Sequence, residues 1–352
     1  MGKSTIFNAL TAARAESSNY PFCTIDPNVG MVKVPDPRLN RLAELVTPER
    51  VVPAVVEIVD IAGIVEGASK GEGLGNKFLG NIRSVDAIIH VVRCFNDDNV
   101  VHVYKSTDPI RDVEIIQAEL ALADIETVEK RIVKAEKLAK TGDKKIKDSL
   151  ATYQKIRDEL NRGGQARNIS LKKEEQETIK ELFLLTAKPV IYVANVSEED
   201  LHGGNKHVKA LKDMAAKEDA GLVIISGQIE AEIAELERDE RQAFLEEMGL
   251  KESGLDRMIK SCYEMLGLIT FFTAGPKEVK SWTIKRGDKA PRAAGTIHTD
   301  FEKGFIRAET ISIDDYISAG SEARARELGR MRVEGKDYVV ADGDVMHFRF
   351  NV

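Results

Sequence analysis

Short apolar runs separated by glycine-rich turns and helical segments alternate over the first part of the chain, which predicts an α/β domain. Residues 55–59 and 88–92 are short, β-branched and bounded by turn or charge signals, as buried parallel strands are. Two similar runs, 190–194 after Pro189 and 222–225, show the same domain resuming late. Between them, from about residue 112 to 186, the pattern becomes helical and highly charged. Ile115, Ala118, Leu122, Ile125 and Ile132 recur at three-four spacing, and so do Ile146, Leu150, Tyr153, Ile156 and Leu160. The break Lys140-Thr141-Gly142-Asp143 lies between the two series, so an antiparallel helical hairpin inserted into the α/β domain is expected. The spacing fits a solvated spacer and an arm that docks on a large partner equally well. Runs at 269–273, 279–284, 310–313 and 345–350 then predict a small mixed β domain with one short helix near 321–330.

Composition narrows the class. A chain of 352 residues suits two or three domains, and 43% hydrophobic with 31% charged residues describes an ordinary soluble protein. No apolar run reaches the roughly 20 residues of a membrane span, and the start has no basic-then-apolar export segment. A cytoplasmic protein without a membrane partner is expected. Cys23, Cys94 and Cys262 are too scattered for a zinc site or a disulfide framework. The formal charge of −7 argues against a surface that coats nucleic acid, and no DNA partner is expected. Residues 265–352 hold 14 Lys and Arg against 13 Asp and Glu, so any contact with RNA would be regional.

The chemistry concentrates in a few motifs. Gly2-Lys3-Ser4-Thr5 running into Ile6-Phe7-Asn8-Ala9-Leu10 reads as the end of a phosphate loop entering a helix. Backbone N–H groups would face the phosphates, Lys3 would neutralise their oxygens and Ser4 would ligate Mg²⁺. The apolar strand 55–59 ends in Asp60-Ile61-Ala62-Gly63, where Asp60 can hold a Mg²⁺ ion through water and the Gly63 N–H can reach a γ-phosphate. A glycine-dense loop from Gly67 to Gly75 follows, suited to ordering on γ-phosphate and relaxing after hydrolysis. After the strand 190–194, Asn195-Val196-Ser197-Glu198 stands where GTPases carry Asn-Lys-x-Asp. Glu198 is one methylene too long and Val196 has no cationic stem, so the bidentate guanine contact is expected to be misplaced, enough to erase a GTP preference.

These motifs, with Asn19-Tyr20-Pro21-Phe22-Cys23-Thr24-Ile25 and Asp342-Gly343-Asp344-Val345, make the chain resemble the YchF, or Obg-like ATPase, family along essentially its whole length. The resemblance implies three parts: a P-loop NTPase domain over 1–111 and 187–264, an inserted coiled-coil hairpin over 112–186, and a C-terminal TGS domain of β-grasp type over 265–352. It implies an Mg²⁺-dependent, K⁺-stimulated ATPase that acts as a switch on the ribosome, with the large subunit as the expected partner. Further roles follow only by resemblance. Ser226 and Gly227 lie near the purine, Thr24 completes the Mg²⁺ shell, and His102 orients the attacking water in place of the usual Gln, whose position is taken by Ile64. An Obg-type GTPase and a nucleotide-impaired ribosome-binding module are the alternatives.

One departure bears on all of this. Members of the family open with a β-strand and a first Gly-x-Pro-Asn-Val half-loop, whereas this sequence starts where the last Val of that loop would stand. A start assigned at a GUG valine codon is the expected cause, and the asparagine expected to hold K⁺ lies in the absent half. Losing a buried strand forfeits core side chains at roughly 1.5 to 3 kcal/mol each, against a total stability of about 5 to 15 kcal/mol. The chain as written is therefore expected to be unstable and to bind nucleotide poorly.

Overall fold

The computed structural model describes residues 2–12, 28–61, 74–97, 106–140 and 143–351. In chain order the elements are α1 (Lys3–Ala12), β1 (Val29–Lys33), α2 (Pro37–Val46), β2 (Arg50–Val52), β3 (Val55–Val59), α3 (Leu74–Ser84), β4 (Ile88–Arg93), α4 (Pro109–Ala139), α5 (Lys144–Asn161), α6 (Lys173–Lys180), β5 (Val190–Asn195), α7 (Lys206–Lys217) and β6 (Gly221–Ile225). They continue with α8 (Gly227–Glu235), α9 (Arg238–Glu247), α10 (Gly254–Met265), β7 (Leu268–Ala274), β8 (Glu278–Lys285), α11 (Ala290–Ile297), α12 (Thr299–Lys303), β9 (Phe305–Ser312), α13 (Ile313–Ala319), α14 (Glu322–Glu327), β10 (Arg332–Glu334) and β11 (Asp344–Phe350). The chain divides into two compact units: residues 1–30 with 59–255, and residues 31–58 with 256–352. Among the described residues no helix is long and apolar enough to cross a membrane.

The first unit is built on a parallel sheet in the order β4-β5-β6. All six residues of β5 are buried, which is why its sequence is an apolar run rather than an alternation. Val113 of α4 and Val208, Leu211 and Ala215 of α7 pack against it. From the sheet α4 runs outward, 31 residues in all, about 46 Å at the rise of an α-helix. Asp108 caps its start by accepting from the Arg111 N–H (3.2 Å), and Asp143 caps α5 through the Lys145 N–H (2.8 Å). The seam of this hairpin holds Val128, Ile132, Ile156 and Leu160, whereas Ala118 and Leu122 of the expected first series are exposed, because the buried stripe of α4 runs through Ala121 and Val128 instead. Buried Asp124 fastens its root: it accepts from the Leu185 N–H (2.9 Å), the Thr186 N–H (2.8 Å) and the Thr186 hydroxyl (2.6 Å).

The second unit holds a six-stranded sheet in the order β10-β9-β11-β7-β8-β2. Its β2 comes from far upstream and pairs in parallel with β8, Val51 opposite Val279. Leu39 and Leu42 of α2 are buried with Phe272, Val279, Ile311 and Val345. The Asp342-Gly343-Asp344 motif is a structural turn here. Asp342 accepts from the Thr270 N–H (2.9 Å) and pairs with Arg38 (2.8 Å), while Asp344 accepts from the Ala341 N–H (2.9 Å) and the Tyr338 hydroxyl (2.7 Å). Gly343 has φ +89°, and a Cβ there would meet Arg38 and Ile313 at 3.0 Å.

Four expectations need correcting. The run 55–59 is not a buried strand of the parallel sheet: every residue of β3 keeps some exposure, and β3 forms a separate two-stranded sheet with β1. The run 310–313 is the end of a longer strand, β9, and Ile313 already begins α13 because Ser312 caps it through the Asp315 N–H (3.2 Å). The C-terminal region has four short helices rather than one, since small-residue stretches such as Ala290–Ile297 bury alanines without a long apolar run. The hairpin begins at Pro109, three residues before its expected boundary. The two units also group residues 31–58 with the C-terminal part, through the β2 pairing and the α2 core contacts.

Candidate functional site

Of the expected site residues, Gly2, Lys3, Ser4, Thr5, Asp60, Asn195, Ser226 and Gly227 lie in the first unit, around the starts of α1 and α8. The Gly2 carbonyl accepts the first helical bond of α1, from the Ile6 N–H (2.9 Å), so the N–H groups of Lys3, Ser4 and Thr5 precede the hydrogen-bonded ladder. Such a helix start, with its positive dipole end, favours an anion. Ser4 and Thr5 are exposed there. Lys3 turns to Asp60 and forms an ion pair with it across a separation of 57 residues. Asp60 in turn is placed by its own N–H, which donates to the Asn28 carbonyl (2.7 Å). The two motifs read separately from the sequence therefore meet.

Asn195 organises the other side. It ends β5, is 4% exposed, and its Oδ1 accepts from the N–H of Gly227 (2.8 Å), the first residue of α8. Its Nδ2 lies against Gly2, where an added Cβ would approach to 2.2 Å. Gly2 has φ +86°, a conformation that side chains rarely adopt, so two independent constraints demand glycine. Ser226, buried, occupies the cap position of α8 and its carbonyl accepts from the Glu230 N–H (2.9 Å). One amide thus links β5 with the starts of α1 and α8.

The remaining expected residues divide. Val196 is buried in the core beside Leu201 and Val208, so its side chain serves packing and offers no face to a base. Glu198 is exposed at the start of a short turn, Glu198–Asp200. Gly63, Thr24 and His102 lie outside the described residues, as does the loop 67–73. Mg²⁺ requires hard oxygen donors, and the Ser4 hydroxyl and Asp60 carboxylate are of that kind. No group of three or more His, Cys, Asp or Glu gathers among the described residues.

Two supporting residues escaped the sequence reading. Arg93 ends β4 directly opposite Asn195, is 3% exposed, and donates to the carbonyls of Phe95 (3.1 Å) and Asp97 (2.9 Å), fixing the chain as it leaves the sheet. A cation closing an apolar strand was the available signal. Asn205 donates to the Cys94 carbonyl and to Asp200 (both 2.7 Å) while capping α7, which staples the turn after Asn195 to the neighbouring strand. Burial pushes the Cys94 thiol up to about 12, so it stays protonated and inert.

A lysine at a helix start, a strand-end aspartate and a strand-end asparagine over a parallel sheet define a P-loop nucleotide-binding protein of mixed α/β fold. The comparisons agree. A family model described as 50S ribosome-binding GTPase matches residues 1–196, and a YchF GTPase C-terminal model, described as a protein of unknown function, matches residues 268–351. The chain belongs to the YchF family. It is 56% identical to the ribosome-binding ATPase YchF of Bacillus subtilis and 54% identical to that of Haemophilus influenzae, each alignment covering 100% of this chain and 97% of the relative. The solved structure of the Schizosaccharomyces pombe YchF GTPase matches with TM-score 0.89 and 39% identity, over 99% of this chain and 95% of that one.

Proposed function

We propose that this protein is a ribosome-associated, Mg²⁺-dependent ATPase that works as a nucleotide-controlled switch. The observation that carries the reading is the Lys3–Asp60 ion pair at the start of α1, beside the Asn195 bridge. A phosphate arriving at the N–H groups of Lys3, Ser4 and Thr5 competes with Asp60 for the lysine. The aspartate is then released toward the metal side, which gives an electrostatic route from nucleotide binding to the segment after β3. Bound Mg²⁺ would be held by Ser4 directly and by Asp60 through water, and it supplies charge neutralisation at the phosphates. His102 is the proposed water-orienting group, a role that suits a neutral imidazole. The names of relatives include ribosome-binding ATPases, which supports the ribosome as partner and ATP as nucleotide.

A GTPase of the Obg type is the second reading, favoured by the matching family model and by the solved relative from Schizosaccharomyces pombe, which is named a GTPase. Titration of the chain with ATP and GTP, with Mg²⁺ and either K⁺ or Na⁺, separates the two. Tighter ATP binding, weakened at least tenfold by Lys3→Met, supports the first reading, and tighter GTP binding supports the second. His102→Ala is expected to lower hydrolysis while leaving nucleotide affinity and ribosome pelleting unchanged. Pelleting that persists with no nucleotide binding at all would leave only a ribosome-binding module.

A further inference from the structure

Charge is segregated along the helical hairpin of the first unit. Residues 112–129 of α4 carry six carboxylates and no cation, whereas 130–147, spanning the end of α4 and the start of α5, carry eight cations against Glu136 and Asp143. That is a local charge of +6 in a chain of −7. All eight cations are exposed. Lys130 is engaged by Glu126 (2.6 Å), and the other seven have no ion pair among the described residues. Like charges repeat at helical-neighbour spacings, Lys130 with Lys134, Arg131 with Lys134, Lys134 with Lys137 and Lys144 with Lys147, an arrangement that destabilises a helix. A hairpin serving only as a spacer gains from alternating signs, as Glu126 and Lys130 do lower down.

The seam beneath this patch is sound. Ile132 is buried with Ile156 and Leu160, and Ala135 is buried one turn further on, so the cations are held on paired helices rather than on a loose tail. The described residues on either side of 141–142 thus present a positive surface on the paired helices.

We propose that this end of the hairpin is a docking surface for the phosphate backbone of structured RNA. It rests on the ribosome reading above and names the part of this chain that makes the contact. Seven of the eight cations are lysines, which act as point charges and neither fork onto base edges nor stack. No aromatic residue lies between 130 and 147, so nothing there reads unpaired bases. Contact is therefore with phosphates, independent of base sequence and steeply dependent on salt. An acidic protein surface is the competing partner.

The test uses the full chain, with Lys134, Lys137 and Lys144 changed together to Glu in one variant and to Arg in another. Ribosome pelleting and binding of a labelled RNA hairpin are measured from about 50 to 200 mM salt, a range over which a protein with six or more phosphate contacts weakens by about a thousandfold. The Glu variant is expected to bind the RNA hairpin at least tenfold more weakly, with a shallower salt slope, and to lose pelleting, while nucleotide affinity stays the same. The Arg variant should restore binding, which a collapsed hairpin could not do. Equal RNA binding and equal salt slope in the wild type and the Glu variant overturn the proposal. Loss of pelleting by the Glu variant while neither chain binds RNA overturns it in favour of an acidic protein partner. If the wild type binds RNA through these lysines but never pellets with ribosomes, the docking surface stands and the ribosome reading fails.

Discussion

Strand β5 carries two polar side chains into the interior of the first unit, Tyr192 and Asn195, in surroundings of opposite kind. The Tyr192 hydroxyl receives from Gln117 (2.8 Å) and donates to Glu218 (2.8 Å), and Glu218 also takes Arg167 (3.0 Å) and Gln117 (2.8 Å). Burial, and then Glu218, raise the Tyr192 pKa well above the usual phenol range. That cluster joins α4, β5, α7 and the segment after α5 in a closed circuit. Asn195, three residues on, stands between two helix starts, and the leading N–H groups of α1 beside it lie ahead of the helical ladder. A polar group whose partners are all protein fixes geometry, whereas one placed beside open backbone donors prepares a place for a ligand.

Breaking the closed circuit should cost the most stability and the least binding. Glu218→Ala leaves Arg167, whose side chain is 11% exposed, without its ion-pair partner, a loss of about 3 to 5 kcal/mol in urea denaturation. Nucleotide affinity of the fraction that remains folded should hold, and a parallel fall in affinity would dissolve the distinction between the two clusters. Gly2→Ala is the converse, because its Cβ would meet Asn195 and its φ is positive. Titration is expected to show a loss of about a hundredfold in ATP affinity, or about 2.7 kcal/mol, with a smaller change in melting temperature.

The circuit has a pH signature as well. His90 lies beside Tyr192, ring centroids 5.6 Å apart, and burial, then the Arg167 charge, lower its pKa to about 4. The folded protein therefore binds this proton less readily than the unfolded chain, whose histidine titrates near 6.5. Stability from this group is intact above about pH 6.5 and is lost as pH falls toward 4, by about 2 kcal/mol after allowance for solvent screening. His90→Gln should flatten that part of the profile, measured as urea midpoint against pH. Tyr192→Phe is the mildest probe: it removes two hydrogen bonds, but Gln117 and Glu218 stay bonded to each other, so a loss of about 1 to 2 kcal/mol is expected, again with unchanged ATP binding.

The candidate site was partly legible. Lys3, Ser4, Asp60 and Asn195 stand in motifs whose residue types state their chemistry, and each lies at the end of an element that apolar runs or caps announce. Arg93 and Asn205 were not read, because their value lies in carbonyls supplied by other segments. Val196 shows the converse: its place in a motif pointed to the nucleotide, and the fold packs its side chain into the core beside Leu201 and Val208. The Tyr192 circuit was invisible for a similar reason, its partners standing 26 to 101 residues away along the chain.

By itself the sequence determined the class of elements, the position of the helical hairpin, the residue types of the candidate site and the charged end of α4, since periodicity, capping and charge are local properties. Only the tertiary structure decided that β2 and α2 join the C-terminal sheet, that Gly2 must be glycine because Asn195 fills its side-chain space, and that Lys3 finds Asp60. Strand pairing and close approach depend on which distant surfaces are complementary once buried, and no window of neighbouring residues contains that information.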